Sequence, residues 1–266
     1  MTGIETVEFL VKIARFLRYF GGEKIVGKVR RRSSCGYLRL LHTDVIHRLR
    51  KLGMCMESGN PDKTRASELA IEFCSACALL MQQIVEVERN ELHCCLKVIV
   101  KSKDGKEDLL QTWARSEPAD DRTDEEDGVA LSKNTIWNAF TGASDGRNHW
   151  RKMCCFCCND LREFADEYDN GRKEWSKYYK SKLIFPIRYI DKVKPNTWDT
   201  IGFFEFDAVD INVFDGVPCS FEHLKDPVGF RTKLEKNAIF HSGAIIADSL
   251  SMCLRPFYES RKQPIK

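Results

Sequence analysis

The chain has 266 residues, 43% of them hydrophobic, with a formal net charge of +3 and twelve cysteines. That length fits one large domain, or a domain of about 150–170 residues with an extension, and the near-balanced charge supplies no bulk field toward nucleic acid or a membrane. Met1-Thr2-Gly3-Ile4-Glu5 lacks the basic start and apolar core of a secretion signal. The cysteines therefore read as thiols of a cytoplasmic protein, not as a disulfide framework, and without a run of about 18 apolar residues no membrane-spanning helix is expected.

Residues 4–20 predict an amphipathic helix, because Val7, Leu10, Val11, Ala14, Leu17 and Phe20 recur at helical spacing and Gly21-Gly22 ends it. Its other face carries Lys12, Arg15 and Arg18, so it packs on protein, its own or a twin subunit's, or makes a peripheral membrane contact. The basic run Lys28-Val29-Arg30-Arg31-Arg32 has no interleaved aromatic residue, which favours a solvated linker over a nucleic-acid contact. A second helix is expected at 37–56, with Leu38, Leu41, Val45, Leu49 and Leu52 inside, before the loop Ser58-Gly59-Asn60-Pro61-Asp62. A long helix should cover 63–90, where Leu69, Phe73, Cys77, Leu80, Ile84 and Val87 recur every three or four residues. At roughly 40 Å it is long enough to reach a partner.

Leu92–Val100 predicts a strand, Lys103-Asp104-Gly105-Lys106 a hairpin turn, and 109–114 the returning strand. Arg115–Asp127 is a charged loop. Then come a helix at 134–141, a polar loop at 142–149, a short buried strand at 152–158 and helical turns at 161–168 and 173–179. Two strands follow at 182–189 and 200–207, and a last helix at 235–254 is stopped by Pro256. This order is an α+β plan: an antiparallel sheet with flanking helices, the first and last of which can share one face.

The stretch Tyr178-Tyr179-Lys180-Ser181, Leu183-Ile184-Phe185-Pro186-Ile187, then Ile201-Gly202-Phe203-Phe204-Glu205-Phe206-Asp207, resembles the second half of a GAF domain. There, two such strands run antiparallel beside a ligand pocket. The resemblance covers about residues 65–254 and includes Thr112-Trp113-Ala114-Arg115-Ser116, Asn134-Thr135 and Cys158-Asn159-Asp160. It implies a GAF-like sensor domain over 63–256, preceded by an N-terminal helical extension (1–62) and followed by a tail (257–266). The chain is also similar to bacterial GAF-like proteins with a preceding helical or membrane region. It lacks the cysteine context of phytochromes and the Asn-Lys-x-x-x-Phe-x-x-x-Asp-Glu signature of cyclic-nucleotide-binding GAF domains. The resemblance thus implies a sensor without naming its ligand.

A pocket between sheet and loops would be framed by Arg115, Ser116, Arg122, Asn134, Thr135, Asn159, Asp160, Tyr168, Asn170, Trp175, Tyr179, Lys180 and Ser181. Arginine forks onto phosphate or carboxylate and an aromatic ring stacks a base, which suits a small anionic or nucleotide-like ligand. The same residues also read as frame, with Asn134 and Asn159 as helix caps and Trp175 as core. In Cys154-Cys155-Phe156-Cys157-Cys158, a strand would put Cys154 and Cys158 on one face and Cys155 and Cys157 on the other, so these four are weak metal candidates. Cys74 and Cys77 sit on a helix among apolar residues. No histidine pair, phosphate-binding loop or nucleophile motif is present, and no cofactor is expected.

The expected function is that of a dimeric regulatory sensor rather than an enzyme. Ligand capture would order the 115–133 loop and shift the helices near 65–90 and 235–254, passing the change to a downstream partner. Two other readings stay open. One is a ligand-free dimerisation module with Trp175, Phe185 and Phe204 filling the pocket; the other is a cysteine-dependent redox enzyme, marked by one exposed, reactive thiol within 154–158.

Overall fold

The computed structural model describes residues 40–57, 61–85, 92–102, 104–116, 128–142, 152–170, 174–190 and 198–262. The segments 4–20 and 28–32, the charged stretch 117–127 with Arg122, and the loop 143–151 lie outside the described residues.

Helix α1 (His47–Met56) continues a π-helical segment, Leu40–Ile46, and buries Leu49, Leu52 and Met56. Helix α2 (Lys63–Val85) begins where Asp62 Oδ1 accepts the Thr64 N–H at 2.9 Å, a side-chain cap for an otherwise unpaired first-turn donor. Its buried stripe holds Ala66, Leu69, Ala70, Phe73, Cys74, Cys77, Leu80 and Met81, and the small residues among them allow close approach to the sheet. Among the described residues α2 is the one helix long and apolar enough to cross a bilayer. Here that stripe faces the sheet, with the Phe73 ring 6.0 Å from Phe204 and Gln82 donating to the Leu92 carbonyl at 3.0 Å.

Six strands follow: β1 (Leu92–Lys101), β2 (Asp108–Arg115), β3 (Val129–Ala130), β4 (Phe156–Cys158), β5 (Ser181–Ile190) and β6 (Trp198–Ala208). They pair antiparallel in the order β3-β2-β1-β6-β5-β4. Gly105 takes φ 71° in the β1–β2 turn, the left-handed conformation that makes glycine suitable there. The strand expected at 152–158 shortens to three residues, so Cys154 and Cys155 precede it. Pro186 is interior by strand order, yet β4 pairs only Lys182–Ile184 and a register shift follows at Ile187/Arg188. The missing N–H therefore falls where no neighbour needs it.

Alternation divides the sheet into two faces. Leu96, Phe185 and Phe204 are cross-strand neighbours on the face covered by α2 and by α6 (Ala238–Lys262), with Phe185 6.0 Å from Phe240. Helix α1 lies across both α2 and α6, so the described part of the N-terminal extension packs on the domain itself. The opposite face carries Phe203, covered by Phe140 (5.2 Å) and Trp137 (6.4 Å) of α3 (Thr135–Thr141). An irregular stretch with 3-10 turns at Leu161–Phe164 and Trp175–Lys177 covers the rest. Two helices absent from the sequence expectation, α4 (Ser220–His223) and α5 (Pro227–Leu234), close that side, with Phe221 stacked on Phe164 at 4.1 Å.

The last helix does not stop at Pro256 but runs to Lys262. Proline removes one backbone bond; side-chain contacts beyond it hold the helix. Tyr258 packs 5.1 Å from Tyr189, whose hydroxyl donates to Glu259 at 3.1 Å, and Arg255 pairs with Glu259 at 3.0 Å.

Two close approaches depend on glycine. A Cβ at Gly202 would lie 2.2 Å from the Lys97 carbonyl oxygen, and one at Gly243 would lie 2.1 Å from the Phe185 ring. Gly202→Ala is expected to cost about 1–3 kcal/mol through overpacking against backbone, read as a lower urea midpoint. An unchanged midpoint would contradict the β1–β6 register.

Candidate functional site

The register gathers, on the α3 side of the sheet, charges that are far apart in the chain. Cys95 is the direct neighbour of both Glu205 and Arg115, and Lys182 of Asp207. Lys97 Nζ lies 3.0 Å and Lys182 Nζ 3.2 Å from the same Glu205 oxygen, to which Cys95 Sγ also donates at 2.9 Å. Arg115 stands 3.6 Å from Asp207. Burial pushes the Glu205 carboxyl up, but Lys182 and Lys97 overcome this and hold it below the usual carboxylate range. Burial and the Glu205 charge push the Cys95 thiol well up, so it stays a protonated donor. Lys182 also sits over the Tyr179 ring, 4.0 Å from its centroid.

Cys95, Glu205 and Asp207 place potential metal-ligand atoms within 4.8 Å of one another. The electrostatics oppose that use. Lys97, Lys182 and Arg115 outnumber the two carboxylates, and one Glu205 oxygen already receives three donors. The cluster is an ionic core of the sheet.

Most of the residues expected around a pocket tie this frame together. Asn134 caps α3 by accepting the Trp137 N–H at 3.0 Å. Thr135 Oγ1 donates to the Glu167 carbonyl at 3.2 Å and accepts the Asp169 N–H at 2.9 Å. Ser116 accepts the Cys94 N–H on its hydroxyl and the Ser75 hydroxyl on its carbonyl, joining β1 and α2. Asn159 clasps the Phe214 backbone at 2.9 and 3.1 Å, and the Ser181 hydroxyl lies 2.8 Å from the Asn159 carbonyl. Asp160 caps the turn at Leu161 and forks with Arg162, while Lys180 bonds through its backbone to Ala208 and Leu161.

Tyr168, Trp175 and Tyr179 stack on one another: Tyr168 meets Trp175 edge-on at 5.1 Å, and Trp175 lies 5.9 Å from Tyr179. Asn170 donates to the Tyr179 hydroxyl. The structure thus brings Tyr168, Asn170, Trp175 and Tyr179 together, but as a lid over the ionic core. Trp175 does not share a pocket with Phe185 and Phe204, which belong to the helix-covered face.

Open space lies at the other end of the strands. A cleft of about 970 Å³ is lined by Ile99 and Lys101 of β1, Asp108, Thr112 and Trp113 of β2, Ile201 of β6, and Trp137 and Phe140 of α3. Lys63, Ala66 and Ser67 of α2, Leu254 and Tyr258 of α6, Asp199 of β6 and Lys152 also border it. Its size is at the upper end of the range for ligand pockets. Among the described residues, none of those expected around a pocket lines it. Trp113 enters through a bulge: Leu96 pairs with Ala114 and Lys97 with Thr112, leaving Trp113 without an opposite residue, and such an extra residue re-aims its side chain. Trp113 lies within the segment Thr112–Ser116 and Trp137 within the helix expected at 134–141, but a bulge depends on two strands and cannot be read from one.

Of the run 154–158, Cys154 is exposed while Cys155, Cys157 and Cys158 are buried. Contact with the Cys155 thiol lowers Cys154, burial opposes this, and the Arg188 charge helps bring it to about 7. Burial pushes up Cys74, Cys77 and Cys94, which meet at the α2–β1 junction.

Two expectations follow. Iodoacetamide labelling of Cys154, followed by peptide mass mapping, should rise with a midpoint near pH 7, with Cys94, Cys95 and Cys157 unlabelled in the folded chain; a midpoint at the ordinary thiol value of about 8.5 would refute the lowering by the Cys155 contact and the Arg188 charge. Glu205→Gln should cost about 3–5 kcal/mol, because two lysines lose their buried partner. Since the folded carboxyl is held below its unfolded value, its stabilisation is present above about pH 4.3 and fades as pH falls further. The acid limb of the variant's stability curve should therefore be shallower than that of the native chain.

A scan of the chain against protein-family models gives no match, and a search of curated proteins gives none either.

Proposed function

We propose that the chain is a GAF-like sensor that holds a small, planar, anionic ligand in the cleft between α3, the β1–β2 ladder and the ends of α2 and α6. Trp113 and Trp137, both partly exposed, offer aromatic faces for stacking. Lys63, Lys101 and Lys152 outnumber Asp108 and Asp199 along its lining, and Lys101 pairs with Asp108 at 2.8 Å. The observation that carries the reading is the joint lining: the start of α2 and the end of α6 border the same cleft as the sheet. A ligand touching both helices has a different affinity for each helix arrangement, which is what signalling requires. The antiparallel β5–β6 pair and the placement of α2 and α6 on one face support the GAF-like frame. Ile71 and Leu79, two turns apart and exposed on α2, suit the pairing of this helical layer with a second copy.

A second reading, thiol chemistry on the same frame, is favoured by one observation: Cys154 is exposed and lowered to about 7.

Native mass spectrometry of protein freshly purified from its host, before and after denaturation, tests the sensor reading. A co-purifying small molecule is expected, and its occupancy should fall about tenfold or more in Trp113→Ala and Trp137→Ala, in line with about 1–3 kcal/mol for a base stacked on an aromatic ring. Retention in both variants, with loss only in Lys97→Met, would move the site to the ionic core. An apo mass throughout would sink the ligand reading, and the same spectra report whether the chain is a dimer.

A further inference from the structure

A pair of thiols far from the cleft joins β4 to the segment before α4. Cys158 Sγ and Cys219 Sγ lie 3.8 Å apart, although the two residues are 61 positions apart in the chain. Cys219 is half-buried and Cys158 is buried. Bonds on the adjacent residues hold the two segments in place. The Cys157 N–H donates to Ser220 Oγ at 2.7 Å, and Asn159 clasps Phe214 from the other side. The sulfurs are in contact but unbonded; a disulfide needs about 2.05 Å, a closure within the reach of side-chain rotation.

We propose that Cys158 and Cys219 form a reversible, hydroperoxide-oxidisable pair, a modification site that covalently ties the edge strand β4 to α4. The two thiols are unequal. Contact with Cys158 and the backbone N–H groups of Phe221 and Glu222 lower Cys219, whereas contact with Cys219 and burial raise Cys158. Cys219, the less buried of the two, is the attacking sulfur and Cys158 the resolving one. The Cys219 sulfur attacks one peroxide oxygen and the O–O bond breaks. Cys219 becomes a sulfenic acid, and the departing alkoxide or hydroxide takes a proton from solvent. Cys158 then loses its proton and attacks the sulfenic sulfur. The S–S bond forms, the S–O bond breaks, and the released hydroxide is protonated to water. Two thiols have lost two hydrogens, and one hydroperoxide has been reduced to water and an alcohol. An external dithiol reverses the change by exchange. The buried group Cys74, Cys77 and Cys94 offers no such route, because none of its sulfurs is open to a peroxide.

The test uses the full chain carrying Cys154→Ser, which removes the one exposed thiol among the described cysteines, a competitor for oxidant. After one equivalent of hydrogen peroxide, remaining thiols are alkylated under denaturing conditions and unreduced peptides are mapped. The expected result is a loss of about 2 Da, two hydrogens, with fragmentation placing the crosslink between Cys158 and Cys219. Dithiothreitol should restore the mass, and adding Cys219→Ser should abolish the crosslink. Recovery of both cysteines alkylated, a crosslink confined to other cysteines, or stable over-oxidation of Cys219 without a crosslink would each overturn the proposal.

Discussion

The structure turns on one constraint: an ionised carboxylate, Glu205, is buried at the centre of a sheet and must be neutralised there. Its two lysines come from the strands on either side, Lys97 from β1 and Lys182 from β5. Slipping either strand by one residue would turn its lysine onto the face packed by α2 and α6, among Leu96, Phe185 and Phe204. The ionic core therefore sets the register of the three central strands, and a slipped register would carry an unpaired buried charge. Arg115 and Asp207 extend the same demand to β2.

That register separates frame from function. At one end of the central strands the charges are sealed under Tyr168, Trp175 and Tyr179, whose rings pack on one another. At the other end the sheet projects beyond its cover, and α2, α3 and α6 converge on the open cleft. At the sealed end Lys97 and Lys182 already pair with Glu205, and Asn134, Thr135 and Asn159 bond to backbone groups.

Burial likewise sorts the thiols. Most described cysteines lie where a thiolate would be costly and act as small core residues. Of the less buried ones, Cys55 and Cys253 lie on α1 and α6, while two flank β4: Cys154, near the Arg188 charge, and Cys219, against Cys158. The density of cysteine in the sequence says little about reactivity; position relative to solvent, a neighbouring cation and a second sulfur decides it.

Much of the framework was legible in the chain. Apolar spacing located α2, the β1–β2 hairpin around Gly105, and the paired strands through Pro186 and Gly202, because these patterns follow from local geometry. The shortening of the 152–158 strand, the helix running through Pro256 and the helices at 220–234 were not legible, since each rests on contacts made after the chain folds back on itself. The candidate site divides in the same way. Asn134, Asn159 and Ser181 could be recognised as polar residues at element ends, but whether they face a ligand or the backbone depends on what packs against them. Sequence by itself determined which residues alternate, turn and cap, because those preferences act over a few neighbours. Only the tertiary structure decided that Lys97, Lys182 and Glu205 form a sealed core while Trp113, Trp137 and Lys63 share an open cleft, because cross-strand register, a bulge and helix docking join residues that no local rule connects.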